Sequence, residues 1–199
     1  LPACLMQPQP GEQILDLCSA PGGKATHIAA LMKNSGQVTA CDIYPHKLKL
    51  IEENAARLKL ENVTTDLQDG TVLQETWREQ FDSVLVDAPC SGLGVLRRRA
   101  EARWNKTETG LKEFPLLQRK LLENGAACVK PGGVLVYSTC TIEDGENRNL
   151  VADFLAKHDE WMQRPFPHPR TGEPVRELQL LPQQDGVDGF YLTVLQKEK

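Results

Sequence analysis

The chain has 199 residues, 40% hydrophobic and 25% charged, with a formal net charge of −4. That suits one large soluble domain with a substantial core, and no apolar run approaches the ~20 residues of a membrane span. The acidic balance excludes a uniformly basic nucleic-acid binder, so any such contact must use a local patch or a separate module.

No signal-peptide pattern opens the chain, and a cytoplasmic, reducing setting is expected. The six cysteines, at positions 4, 18, 41, 90, 128 and 140, include no C-x-x-C pair. Neither a structural metal site nor a disulfide framework is therefore expected. Residues 1–12 (LPACLMQPQPGE) read as a connector from a preceding domain, and residues 13–199 as the domain itself.

Gln13 to Cys18 reads as a buried strand, followed by a helix from about Gly23 to Lys33 that Asn34-Ser35-Gly36 closes. Gln37 to Cys41 is a second strand, ending at Asp42. Pro45 opens a helix with Leu48, Ile51, Ala55 and Leu58 on one face. Asn62 to Leu67 and Phe81 to Val86 are the next strands. Residues 91–115 carry glycines and then arginines without clear periodicity, and read as a long loop. Leu116 to Val129 is predicted helical, with Lys130-Pro131-Gly132-Gly133 as its stop and Val134 to Ser138 as the next strand. Glu146 to Lys157 is predicted helical, and the stretch containing Pro165, Pro167, Pro169 and Pro174 a surface loop. Gly189 to Leu195 is a last strand, with a shorter one near Glu177 to Leu181. Such alternation implies an α/β domain with a mostly parallel sheet and helices on both faces.

The segment Asp16 to Lys24 (DLCSAPGGK) joins the first strand to the first helix, the layout that offers backbone N–H groups and a helix N-terminus to a nucleotide-like ligand. A Walker loop fails, because Cys18 stands where its first glycine belongs and Ala25 follows the lysine. A dinucleotide fingerprint fails because Gly22 and Gly23 are adjacent rather than alternating. Asp42, at the end of the second strand and about 20 residues past the glycine turn, suits both hydroxyls of a ribose. A ribose without a pyrophosphate points to an adenosine ligand such as S-adenosylmethionine. Asp69 is then placed to accept from the adenine amino group, and Asp87 ends a strand on the same edge.

Cys90 (in DAPCSGLG) and Cys140 (in VYSTCT) each follow an apolar strand and should face that crevice. A thiolate facing a methyl donor can add to C6 of a pyrimidine, making C5 nucleophilic enough to take the methyl group. The base must be unstacked to be reached face-on, and Asp87 is the nearest partner for its N3. Nearness to Asp87 favours Cys90 as the nucleophile, but the residues alone do not rank the two thiols.

Taken together, DLCSAPGGK, Asp42, Asp69, DAPCSGLG, GVLRRR, KPGGVLVYSTCT and DGFYLTVL resemble the RNA cytosine-C5 methyltransferases of the Sun/Nol/Nop family, in its bacterial branch acting on 16S ribosomal RNA. The resemblance covers nearly the whole chain. Ser19 and Ala25 depart from the commoner Ala and Thr. The resemblance implies a Rossmann-like class I fold of seven strands, the last antiparallel. It implies cofactor contacts at Cys18, Ser19, Ala20, Pro21, Gly22, Gly23, Lys24, Asp42, Asp69 and Asp87. It assigns the nucleophile to Cys140 and release of the covalent adduct to Cys90, reversing the order that proximity suggests. It also implies an N-terminal helical RNA-binding domain in full-length members. Lys24 is expected to shape the pocket near Asp87.

Arg97, Arg98, Arg99, Arg103 and Lys106, with Trp104 among them, form a basic and aromatic stretch suited to phosphate contact and base stacking. Arg119 and Lys120 could extend it. Other readings are a methyltransferase for another RNA such as tRNA, one for a small molecule or protein, or a non-catalytic RNA-assembly module. The last two have no need for two crevice thiols.

Overall fold

The computed structural model describes residues 1–105 and 107–199, with Ala100, Ala102, Asn105, Glu108 and Thr109 described by backbone alone; Lys106 of the predicted basic stretch lies outside the described residues. The strands are β1 (Gln13–Asp16), β2 (Gln37–Asp42), β3 (Val63–Leu67), β4 (Phe81–Asp87), β5 (Val129–Thr139), β6 (Trp161–Gln163), β7 (Phe166–Pro167), β8 (Pro174–Val175), β9 (Glu177–Leu180) and β10 (Phe190–Lys197). The helices are α1 (Pro2–Met6), α2 (Gly23–Leu31), α3 (Pro45–Arg57), α4 (Glu108–Cys128), α5 (Arg148–Leu155) and α6 (Pro182–Asp185).

The main sheet runs β3-β2-β1-β4-β5-β10-β6. The first five strands are parallel. β10 returns antiparallel to β5, as expected of the last strand. The sheet has eight strands rather than seven. The outer edge of β10 is shared: Phe190 to Thr193 pair with β9, and Leu195 to Lys197 with β6.

Buried parallel strands are apolar on both faces, and this sheet obeys that rule residue by residue. Leu15, Val84, Val86, Leu135 and Tyr137 face α4 and α5 with Leu121, Leu122 and Phe154. Ile14, Leu85, Val136, Leu192 and Val194 face the other way, with Ile28, Met32 and Ile51 of α2 and α3. Residues 1–12 include α1, whose Ala3 and Met6 are buried in that second layer.

Several boundaries differ from the predicted ones. α4 begins at Glu108, not Leu116, with Pro115 inside it and Thr107 accepting from the Gly110 N–H as N-cap. Proline usually marks a helix boundary, and here it hid two turns. The predicted loop is therefore shorter and holds two 3-10 turns, Leu93–Val95 and Ala100–Asn105. Lys130 to Gly133 do not stop an element; β5 runs through them, while pairing with β4 jumps from Phe81–Val129 to Ser83–Val134. α5 starts at Arg148, leaving Glu146 outside it. The proline-rich stretch is not all loop, since β7 and β8 pair within it. Among the described residues, no helix is long and apolar enough to cross a membrane.

Candidate functional site

Because β1 through β5 are parallel, Asp16, Asp42, Asp87 and the residue after Thr139, Cys140, come out on one edge of the sheet. The strand order reverses between β1 and β4, which opens the crevice in which such sheets bind ligands. The turn between β1 and α2 is built for close approach. Gly22 has φ +96, and a Cβ there would stand 3.0 Å from the Ile51 backbone. The Ser19 carbonyl accepts from the Gly22 N–H at 2.8 Å, and the Pro21 carbonyl from Asn54 Nδ2 at 2.9 Å. The Ser19 N–H donates to the Cys41 carbonyl at 2.7 Å, fastening the turn to β2.

Two clusters sit on this edge. The first is a cleft of about 300 Å³ lined by Cys18, Asp42, Ile43, Asp69, Pro89 and Leu117, among others. Asp42 Oδ1 accepts from the Tyr44 N–H at 3.0 Å and lies 3.7 Å from Lys47 Nζ. Asp69 Oδ1 accepts from the Thr71 hydroxyl and N–H, at 2.7 and 2.9 Å. Those bonds hold the Asp69 carboxyl below the usual carboxylate range. Two carboxylates at the ends of neighbouring strands, with apolar walls between, fit the hydroxyl and amino groups of an adenosine and the flat face of its base. Cys18 lines this cleft with its thiol pushed up by burial and so inert.

The second cluster joins Lys24, Asp87, Cys90 and Cys140. Lys24 Nζ donates to Asp87 Oδ2 at 2.6 Å, and Ser138 Oγ donates to Asp87 Oδ1 at 2.6 Å. Burial works against the Lys24 charge, but Asp87 outweighs it and the lysine pKa is raised. The Cys90 and Cys140 sulfurs are 3.2 Å apart. The contact with the Cys90 sulfur draws the Cys140 pKa down to about 7, opposed by burial and Asp87 and helped by Lys24. The same contact pushes the Cys90 thiol up. The arrangement thus holds one ionisable sulfur beside one protonated sulfur. Pro89 connects the clusters, lining the cleft directly before Cys90.

Asp87 therefore stands with the thiols, not among the residues that line the cleft. Ser19, Ala20, Pro21, Gly22 and Gly23 shape the turn without lining that cleft. Of the predicted basic stretch, Arg97 and Arg98 both pair with Asp188, at 2.8 Å for Arg97 Nε. Arg99, Arg103 and Trp104 are exposed, Trp104 by 87%. Arg119 pairs with Asp153 at 2.8 Å.

Two residues of the site carried no signal as site residues. Asp16 is fully buried at the end of β1, beside the Ser19 side chain and the Cys18 backbone. Burial, with the Asp87 charge, raises its carboxyl to about 7. Glu146 is buried, and its carboxylate accepts from the Ser91 N–H, next to Cys90, and from Gln118. Its position in sequence, at the apparent start of a helix, gave no hint of this.

A Rossmann-like sheet with an adenosine-shaped cleft and a reactive edge beside it defines an S-adenosylmethionine-dependent methyltransferase domain, and S-adenosylmethionine is its cofactor. Within that class the chain belongs to the 16S rRNA methyltransferase RsmB/F family, whose model matches residues 3–196. It is 41% identical to the probable ribosomal RNA small subunit methyltransferase B of Bacillus subtilis, over 100% of this chain and 46% of that protein. Its Synechocystis counterpart is 38% identical over 98% of this chain and 45% of its own length. The chain thus spans about half the length of these relatives. Among solved structures, NSun6 from Pyrococcus horikoshii, crystallised with the cofactor analogue SFG, superposes with a TM-score of 0.87 at 31% identity, covering 100% of this chain and 51% of that one. A methyltransferase homologue from the same organism gives 0.83 at 31% identity, over 98% and 65%.

Proposed function

We propose that this chain methylates C5 of a cytosine in 16S ribosomal RNA through a covalent bond between Cys140 and C6 of the base. The observation that carries this reading is the thiol pair. One sulfur is drawn towards ionisation at about pH 7, 3.2 Å from a protonated one, on the sheet edge that also holds the cofactor cleft. A methyltransferase for small molecules has no use for such a pair.

S-adenosylmethionine, when bound, supplies an electrophilic methyl group on a sulfonium. Asp42 and Asp69 would accept from its ribose and adenine, with Cys18 on the cleft wall and the Ser19 to Lys24 turn adjoining it. The Cys140 thiolate adds to C6 of the base, the displaced electron pair moves through C5–C4 to N3, and N3 takes a proton from solvent water and donates it in a hydrogen bond to the Asp87 carboxylate. Lys24 and Ser138 fix that carboxylate in place, one on each oxygen. The thiolate addition makes C5 nucleophilic, and C5 takes the methyl group. Cys90 serves the release, in which the C5 proton passes to solvent water, its bond pair forms the C5–C6 double bond, the C6–S bond breaks to return the Cys140 thiolate, and N3 gives its proton back to solvent. The exposed Arg99, Arg103 and Trp104 suit RNA phosphates and an unstacked base.

The test compares Cys140→Ser and Cys90→Ser with labelled methyl donor, on 16S ribosomal RNA and on tRNA. The expected result is no turnover and no adduct with Cys140→Ser, a trapped protein–RNA adduct with Cys90→Ser, and label in 16S RNA only. An adduct formed by Cys140→Ser would overturn the assignment of the nucleophile, and label confined to tRNA the assignment of the substrate.

A further inference from the structure

The two thiols belong to separate segments, and a buried polar network links those segments. Glu146 is 2% exposed. Its Oε2 accepts from the Ser91 N–H at 2.9 Å and from Gln118 Nε2 at 2.8 Å. Gln118 Nε2 also donates to the Pro89 carbonyl at 2.9 Å. The residues on both sides of Cys90 are thus anchored, one to Glu146 directly and one through Gln118. On the other side, the Ser91 and Thr141 hydroxyls are bonded at 2.7 Å, fastening the residue after Cys90 to the residue after Cys140. The Tyr137 hydroxyl donates to the Glu146 carbonyl at 2.7 Å, tying Glu146 to β5 just upstream of Cys140.

We propose that Glu146 is a positioning residue, whose carboxylate couples the Cys90 segment to the Cys140 segment and sets the gap between the two sulfurs. Glu146 Oε1 and Gln118 Oε1 have no partner among the described residues, although both are buried. A buried carboxylate with two donors on one oxygen and none on the other is a poor stabiliser of a fold. Its value lies in what it holds in register. At 3.2 Å the Cys90 thiol can donate to a Cys140 thiolate, and a displacement of about 1 Å would take the sulfurs beyond hydrogen-bond distance. The groups that bear on the Cys140 sulfur besides Cys90 are Asp87 of β4 and Lys24 of α2, and Tyr137 of β5 bears on Cys90. None of these bonds to the Glu146 carboxylate, so its loss acts on Cys140 through the Cys90 segment. The inference rests on the proposed role of the thiols, but its test does not require methyl transfer.

The test is the pH dependence of Cys140 alkylation by iodoacetamide, read by peptide mass spectrometry in Glu146→Ala and Glu146→Gln. Alanine removes the anchor, whereas the glutamine amide oxygen still accepts from the Ser91 N–H. The expected midpoint stays near 7 in wild type and Glu146→Gln. In Glu146→Ala it moves towards the value of an ordinary thiol, slowing alkylation at pH 7 by roughly tenfold or more. An unmoved midpoint in folded Glu146→Ala overturns the proposal, as does a Glu146→Gln midpoint shifted as far as that of alanine. Should Glu146→Ala not give a cooperative melt, Gln118→Met, which cuts the link to Pro89, is expected to shift the midpoint upward by a smaller amount. An unchanged midpoint there overturns the proposal. If the variants shift as expected but wild-type protein methylates no RNA, the proposed reaction is refuted and the positioning upheld.

Discussion

Asp16→Asn is expected to stabilise the protein in alkaline solution and to do little in acid. The wild-type carboxyl is fully buried, and burial with the Asp87 charge outweighs the opposing effect of Ser19, Lys24 and the Cys18 backbone. Its pKa rises from 3.8 to about 7. The folded state thus holds a proton that the unfolded state has lost across the window between those values. Stability falls with pH wherever the folded state binds more protons. The loss begins near pH 4, is complete above pH 7, and at 1.36 kcal/mol per unit amounts to about 4 kcal/mol. Asparagine has nothing to ionise, so its pH dependence lacks this component. Urea unfolding of both proteins at pH 4.5, 6, 7 and 8.5 measures it. The Asp16→Asn variant should gain on wild type steadily, by a few kcal/mol at pH 8.5 relative to pH 4.5. A stability difference that is flat across this range would refute the reasoning, because it would mean that Asp16 ionises in the fold without cost.

Other consequences are accessible to simple variants. Lys24→Met removes the cation that favours the Cys140 thiolate. The pH–rate profile for adduct formation should shift upward from about 7, with a loss of roughly fivefold at pH 7 if the midpoint moves by one unit. Unchanged cofactor binding and turnover would remove Lys24 from the site. At Gly94 a Cβ would stand 2.3 Å from the Gly189 carbonyl oxygen and 2.8 Å from that of Cys140. Gly94→Ala should therefore cost about 1–3 kcal/mol in urea unfolding and disturb Cys140 alkylation. Asp188→Asn frees Arg97 and Arg98 from their carboxylate. RNA binding should tighten, with a steeper dependence on salt in a filter-binding series. Binding unaffected by this change would exclude these arginines from the RNA contact.

Much of the fold was legible because buried parallel strands leave continuous apolar runs. QILDL, QVTAC and FDSVLV each matched a strand, and each ended at the edge where the site forms. What escaped was set by tertiary contact. Pro115 looks like a helix boundary, yet the helix runs through it. β6 has three residues and exists by pairing with β10. At the site, the sequence brought Asp42, Asp69, Asp87, Cys90 and Cys140 to one edge but could not divide them into a cleft and a thiol pair. Asp87 is drawn to the thiols by Lys24 and Ser138, residues 63 and 51 positions away in the chain. Which of the two cysteines ionises more readily depends first on the contact between their sulfurs, then on burial, Asp87 and Lys24. That is a matter of three-dimensional placement, on which linear proximity to Asp87 points to the other sulfur. Glu146 was invisible for the same reason, since its partners Ser91 and Gln118 lie 55 and 28 positions away.

The position of β10 bears on the order in which the molecule can be made. Though built from residues 190–197, it lies inside the sheet, between β5 and the outer pair β6 and β9. Domains emerge from the ribosome N-terminal end first, so every strand that carries a site residue is synthesised before the one that closes the sheet. Until that segment arrives, β5 has an open edge and the Gly94 carbonyl lacks the Gly189 N–H that it accepts at 2.8 Å. The cysteine-bearing loops are long finished as sequence by then but still wait for their last support. A chain interrupted before residue 190 would carry both cysteines with that edge of β5 unpaired and the Gly94 carbonyl without its Gly189 donor.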